Sequence, residues 1–498
     1  MANVSLQIKN GLAGGLAPIW ISLRTELGQF LSPVGWSSHF SIDPGIDSGA
    51  RTFVGGVPWF AITGSCELPG GVGNCILSLS SAPAVWLQEV QLNLFEGRLA
   101  IRLDHPVPIG PWVSVGFWAS DLRVHNFSES AIWLECLAGQ LQITNLLAVD
   151  RLPDQFSGSC EASLAQFSGN HALIFRSGCL VVGNTLNQHE ALGNLGLLDS
   201  HRPVFPLRFG EEGTLDDWSL LDWTGQCHRK RGVTTWVDLS RDKNHQGEAL
   251  CALFEGDIDI FEIVDFNINR LGGVSLWYDI LDAGFFVPLG GGSGRVGNDR
   301  YVGSLRTLSQ MPKDARELDG DQTLAAWVGS VKSGKTTATC YPLVSISNIA
   351  NPNGISNSVV RVIVAGLTES TQLELIGPGG QVLIAKNLKI NFEHQEWNFD
   401  LPGTVPPFIS ARLKSSSAQL LAQTSALRLN STQLDYDATS ALLRLVDRLS
   451  AMKSWIENHA DSMTESAKIF RKALCNKWLL ILQQKMSVFK YRKILPPL

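Results

Sequence analysis

Hydrophobic and polar positions change their period several times along this chain. Up to about residue 110, runs such as Pro58-Trp-Phe-Ala-Ile-Thr63 and Val90-Gln-Leu-Asn-Leu-Phe95 are set among Gly, Ser and Pro. Alternation bounded by turn residues predicts the strands of a β-sandwich-like module over 1–110. From 111 to 343, short apolar runs alternate with segments of helical spacing. These runs are Ile143-Thr-Asn-Leu-Leu-Ala148, Leu180-Val-Val182, Thr234-Thr-Trp-Val237 and Ile258-Asp-Ile-Phe-Glu-Ile263. Strand and helix in alternation imply parallel pairing, with function at the carboxyl ends of the strands. After Tyr341-Pro342 the strand pattern returns in Val359-Val-Arg-Val-Ile-Val-Ala365, Gln372-Leu-Glu-Leu-Ile376, Gln381-Val-Leu-Ile384 and Phe408-Ile-Ser-Ala-Arg-Leu413. With Gly377-Pro-Gly-Gly380 as a turn between two of them, a second β module is expected over 344–430. Residues 431–498 read as helices, because Ala441-Leu-Leu-Arg-Leu-Val-Asp-Arg-Leu449 places apolar residues at helical spacing. Their basic and apolar tail, Lys485 to Lys493, fits a helix packed on its own protein better than one lying on a membrane.

At 498 residues the chain exceeds what one core holds. A hydrophobic content of 44% with 17% charged residues describes a globular chain, not a disordered one. The net charge of -6 carries no nucleic-acid footprint, and the basic cluster His228-Arg-Lys-Arg231 reads as a solvated helix end. Nine cysteines without metal-finger spacing, an odd number, argue against a complete disulfide framework. They read as small buried apolar residues in a reducing compartment. No signal peptide is evident after Met1, and no apolar run reaches the roughly 20 residues a bilayer requires. A cytoplasmic protein without a transmembrane segment is the expectation.

Candidate chemistry concentrates in Asp121-Leu-Arg-Val-His125. A carboxylate and an imidazole at a strand end suit zinc, iron or manganese, but Arg123 stands between them and cannot ligate. Around it runs an ordered set of segments: Ser120 to His125 with Glu135-Cys-Leu-Ala-Gly-Gln-Leu141; Asn145-Leu-Leu-Ala-Val-Asp150; Gln226-Cys-His-Arg-Lys-Arg-Gly232; Gly247-Glu-Ala-Leu250; Trp277-Tyr-Asp-Ile-Leu-Asp-Ala-Gly284 into Val287-Pro-Leu-Gly-Gly-Gly-Ser293; and Leu324-Ala-Ala-Trp-Val-Gly-Ser-Val-Lys-Ser-Gly334. In this order they resemble the CehA/McbA family of metallohydrolases, relatives of the PHP (polymerase and histidinol phosphatase) superfamily. The resemblance covers about half of the chain, from near Pro111 to Leu343.

The resemblance implies a multidomain α/β chain in which a PHP-like (β/α) barrel over 111–343 is flanked by the two β-sandwich-like modules, with helices at the carboxyl end. It implies a metal-dependent hydrolase of small esters, carbamates or phosphoesters, in which a bound ion activates water. Candidate ligands fall at Asp121, His125, Asp150 and Asp238, and candidate cleft-lining residues at His228, Glu262, Asp265 and Ser293. The chain also departs from the family. Arg123 replaces a histidine of Asp-x-His-x-His; Val149-Asp150-Arg151 keeps the carboxylate of Thr-Asp-His and loses its histidine. Val237-Asp238 stands where a His-Pro pair would, and Ser293 runs into Gly294-Arg295 where Asp-x-His would follow.

A unit charge pair at about 4 Å and an effective dielectric near 20 is worth roughly 4 kcal/mol, and about twice that against a divalent ion. Structural zinc binding amounts to only roughly 10 to 16 kcal/mol. One inward guanidinium therefore removes much of the affinity, and the multinuclear centre is not expected to survive intact. The alternative to a hydrolase is a catalytically degenerate anion-binding or interaction protein on the same scaffold. Three states of the cleft stand open. A single manganese, iron or zinc ion could sit on Asp121, His125, Asp150 and Asp238. Arg123, Arg151 and Arg295 could clamp a phosphate or carboxylate with their planar forks. Or the arginines face solvent and His125 is a hydrogen-bonded core residue. No tightly bound metal is the expectation, with a small molecule or anion as partner.

Two nucleotide-like motifs are discounted. Gly329-Ser-Val-Lys-Ser-Gly-Lys-Thr336 matches the phosphate-loop pattern, but a helix enters it, Gly334 caps that helix, and a strand follows, the reverse of the order a phosphate cradle needs. The Gly290–Gly294 run lacks the acidic partner of a dinucleotide loop and reads as backbone approaching the barrel mouth. No nucleotide is expected, and no nucleophile elbow is supported. Glu248 reads as a first-turn helix residue favoured by the dipole. Gln188-His189-Glu190 and His201, with Asn194-Leu-Gly-Leu-Leu198, read as ordinary loop and packing.

Overall fold

Val4, Leu6 and Ile8 are buried while Ser5, Gln7 and Lys9 are not, the two-residue period of a half-buried strand. This strand, β1 (Val4–Lys9), pairs antiparallel with β6 (Ser65–Leu68) and parallel with β9 (Arg98–Arg102). A second sheet has the order β4 (Arg51–Val54), β5 (Val57–Ile62), β2 (Ile19–Thr25), β7 (Asn74–Ser80), β8 (Gln88–Asn93), with β3 (Phe30–Leu31) also on β2. One core joins both sheets through Leu6, Ile8, Ile21, Phe60, Leu77 and Leu79, so the amino-terminal part is sandwich-like. The computed structural model describes the chain except residues 1–2, 11–14, 36–49, 84, 86–87, 96, 103–109, 126, 151–163, 212, 238–246, 265–272, 350–358, 402–404, 430–437 and 495–498. It is a mixed α/β protein of two compact units, 1–183 with 292–324 and 184–291 with 325–498.

In the first unit the sandwich is followed by β10 (Phe117–Val124), α1 (Glu129–Ala138) and β11 (Ile143–Ala148). Every residue of β10 and β11 is buried, as expected of strands covered on both faces. They pair in parallel, with α1 as the crossover. Ser128 starts α1 by accepting from the Ala131 amide at 3.3 Å. The strand Arg306–Gln310 runs antiparallel to β10 on its other edge. Next comes a hairpin, β12 (Ile174–Arg176) against Cys179–Val181, closed by Ser177 and Gly178 at φ 54° and 75°. Two successive positive φ values are the I′ turn that matches strand twist.

The second unit contains the parallel strands Val233–Val237, Ile260–Ile263 and Leu289–Gly291, with helices Gly247–Glu255 and Gly273–Asp282 between them. Alternation had implied parallel pairing throughout, yet Gly193–Leu198 runs antiparallel to both Thr185–His189 and Val233–Val237. The connection of Glu190 to Leu192 is too short for a crossover, which needs a dozen or more residues. Asn194–Leu198, read as loop, is therefore strand. Further on, Leu343–Ile349, Val359–Ala365 and Gln395–Asp400 form one antiparallel sheet, and Thr371–Ile376 pairs with both Val382–Leu388 and Phe408–Ser415. Their inner faces share one core around Val362, Leu373, Ile409 and Leu413. Thr439–Asn458 and Glu465–Ile494 are helices packed on each other and on Gly247–Glu255. Lys485, in the tail, donates to the Ala283 carbonyl at 2.7 Å and lies over the Phe285 ring. Among the described residues no helix is long and apolar enough to cross a membrane.

Candidate functional site

Asp121 and Arg123 lie in the carboxyl-terminal half of β10, where the register with β11 shifts between Asp121 and Val124, and His125 follows directly; all three are buried. Asp121 Oδ1 accepts the amides of Arg123 at 3.0 Å and Ser293 at 2.9 Å, and Oδ2 accepts that of Gly303 at 2.7 Å. Burial pushes this carboxyl up, against the pull of those hydrogen bonds. The His125 Nδ1 faces the Leu147 carbonyl at 3.0 Å and so carries the proton, leaving Nε2 as the lone-pair nitrogen. Burial first, and the charge of Arg123 second, hold this imidazole down to a pKa of about 3, so it is neutral.

The segment 293–295 lies along the end of β10. The His125 amide donates to Arg295 O at 2.8 Å and the Gly294 amide to Arg123 O at 2.9 Å. Gly294 has φ +61°, and a Cβ there would lie 2.7 Å from Arg123 Nη2, so only glycine lets the guanidinium pack this closely. Ser293 contributes its Oγ to the Arg295 amide at 3.2 Å. Arg295 is fully buried and meets the equally buried Glu135 of α1 at 2.6 Å. Its two Nη groups also reach the carbonyls of Arg51 at 2.6 Å, Gly297 and Arg300, and its Cζ sits 4.4 Å over the Phe127 ring. Glu135 also accepts the amides of Ala50 at 2.9 Å and Val302 at 3.1 Å. Burial pushes its carboxyl up, and Arg295 pulls it back. Asp121 and the Glu135–Arg295 pair thus tie the 293–303 segment to α1, β10 and the sandwich.

Of the other predicted site residues, Asp150 is exposed just past β11. Arg151, Asp238 and Asp265 lie outside the described residues. His228 and Glu262 belong to the second unit. His228 is on the helix Leu220–Arg229, with Nε2 2.9 Å from Asp259 Oδ2 and Nδ1 3.9 Å from Asp257. Burial alone would raise Asp259, but His228, the Thr234 amide and Lys332 hold it below the usual carboxylate range. Glu262 is buried in the strand Ile260–Ile263. Among the described residues no three His, Cys, Asp or Glu side chains are grouped to hold a metal ion. The phosphate-loop look-alike has the expected order: helix Gly320–Lys332, Gly334 at φ +73°, then strand Thr336–Thr339. The Thr336 hydroxyl is engaged with Leu289 O at 2.6 Å and Ser425 Oγ at 2.7 Å.

Two features were missed by sequence reasoning. In the second unit Arg471, from the last helix, bonds Glu248 at 3.0 Å and Asp216 at 2.9 Å, and His189 Nε2 meets Asp216 at 3.2 Å, all buried. Glu248 is a first-turn helix residue as expected, but it also receives the Leu220 amide at 2.8 Å. In the first unit, a cleft of about 670 Å³ opens near the amino-terminal end of β10, walled by Trp118, Trp133, Leu137 and Leu141. No family model matches the chain, and no curated protein matches it.

Proposed function

We propose that the chain is a catalytically degenerate relative of the CehA/McbA metallohydrolases on a PHP-like barrel, working as a binding protein and not as a hydrolase. The parallel pairs β10/β11 and Val233–Val237/Ile260–Ile263/Leu289–Gly291, with helical crossovers, support the scaffold. A single observation carries the functional part: Asp121 and Arg295, a candidate metal ligand and a candidate anion clamp, are engaged by the protein's own groups. Both Asp121 oxygens accept amides, and Arg295 is enclosed with Glu135. A metal on Asp121 would displace its amide hydrogen bonds, and one on His125 would meet the charge of Arg123. Among the described residues no group of three His, Cys, Asp or Glu fits the family's centre.

Elemental analysis of the full chain after loading with manganese, iron or zinc and dialysis tests this, together with hydrolysis of 4-nitrophenyl phosphate and 4-nitrophenyl acetate. Fewer than one ion per chain and no metal-dependent turnover is the expected result. Two or more ions per chain, with turnover lost in His125→Ala, would restore the hydrolase.

A further inference from the structure

We propose that the cleft of the first unit binds a small amphiphilic anion: an aryl or acyl body carrying one acidic head group. The volume, about 670 Å³, lies in the range of drug-sized ligands. Its walls are aromatic and aliphatic, with Trp118 from the start of β10 and Trp133 and Leu137 from α1. The rim carries Leu16 and Phe175, which are 48% and 44% exposed, large apolar side chains that a ligand body would cover.

The polar side is equally specific. Gln140 follows Gly139 at the end of α1 and sits at φ +60°, a backbone conformation that L side chains rarely adopt. The Leu141 amide donates to the Cys136 carbonyl at 2.9 Å, so this left-handed residue is the one that closes the carboxyl end of α1. The Gln140 Oε1 accepts the Gly110 amide at 3.2 Å, while Nε2 is buried with no hydrogen-bond partner among the described residues. Gln140 lines the cleft, and a shift of its side chain would let this donor meet the oxygen of a ligand head group. Arg176 and Arg316 are the charged lining residues. The Arg176 guanidinium lies 4.9 Å over Trp133, whose Nε1 donates to Arg176 O at 3.1 Å, so the I′ hairpin presents a cation already set on an aromatic wall. Among the described residues, donors and cations line the cleft and no carboxylate is part of its wall, which selects an anion over a cation. Preformed walls spare the ordering cost of binding.

The role rests on the non-catalytic reading above, but the two fail separately: metal content decides the first and probe binding the second. Two probes share one aryl body, 8-anilinonaphthalene-1-sulfonate and the neutral N-phenyl-1-naphthylamine. Titrated into the full chain, the sulfonate should show one saturable site and bind about tenfold tighter than the amine. Arg176→Ala with Arg316→Ala should bring the sulfonate to the affinity of the amine and leave the amine unchanged. Gln140→Leu should weaken the sulfonate more than the amine. Phe175→Asp, at an exposed rim position, should weaken both without moving the thermal midpoint. Absence of saturable binding, equal affinity of the two probes for the wild type, or sulfonate binding unaffected by both the arginine pair and Phe175→Asp overturns the proposal.

Discussion

Glu135→Gln is the most informative perturbation, because it decides whether Arg295 is a strut or a ligand-binding group. In the native unit the Glu135 carboxylate offsets a guanidinium with no solvent exposure, at 2.6 Å, and receives two backbone amides. The amide side chain keeps the shape, removes the negative charge, and turns an NH2 toward donors that need an acceptor. Removing one partner of a buried pair costs about 3 to 5 kcal/mol, since the remaining charge is left uncompensated. For a unit of this size each kcal/mol moves the midpoint by about 2 to 4 °C, so the first unit should melt about 6 to 20 °C lower. Urea unfolding followed by circular dichroism gives the free energy directly. Replacing both partners, Glu135→Leu with Arg295→Met, should recover part of the loss but not all, because the Arg51, Gly297 and Arg300 carbonyls lose their donor. If Glu135→Gln stays within about 1 kcal/mol of wild type, Arg295 is not confined as described and the anion-clamp reading of the three arginines returns.

Other consequences are as direct. Asp121→Asn should destabilise by about 1 to 3 kcal/mol, because an NH2 group must face one of three amide donors; an unchanged urea midpoint would show that these hydrogen bonds carry no stability. The pKa of His125 is lowered in the fold to about 3 from 6.5. Its stabilising contribution is therefore fully present above about pH 6.5 and is lost as pH falls toward 3, by about 1.4 kcal/mol per pH unit. His125→Gln should flatten that slope, and parallel pH profiles for variant and wild type would refute it. Lys335→Ala should leave folding and any ATP response unchanged; saturable ATP binding that disappears in this variant would overturn the helix-to-strand argument.

Local periodicity, by itself, determined much of the secondary structure of this protein. Alternation marked β5 and β8 near their observed places, and Ile143–Ala148 coincides with β11. Helical spacing marked the Thr439–Asn458 helix, and Gly334 marked the end of the helix before Thr336. These depend on residues two to four apart, or on one glycine's freedom at positive φ, and the sequence carries them in one place. Asn194–Leu198 was lost because its strand character comes from pairing on both sides and not from its own glycine-containing pattern. The site depended on partners far apart in the chain. Whether Arg295 bound an anion, opposed a metal or supported the fold was set by Glu135, 160 positions away, and by carbonyls that point at it only after folding. Arg471 with Glu248, and the cleft between Leu16 and Arg316, arise the same way. A guanidinium looks the same in sequence whether its field is spent on a ligand or on a neighbouring carboxylate, and only burial and distance, which are tertiary quantities, tell the two apart.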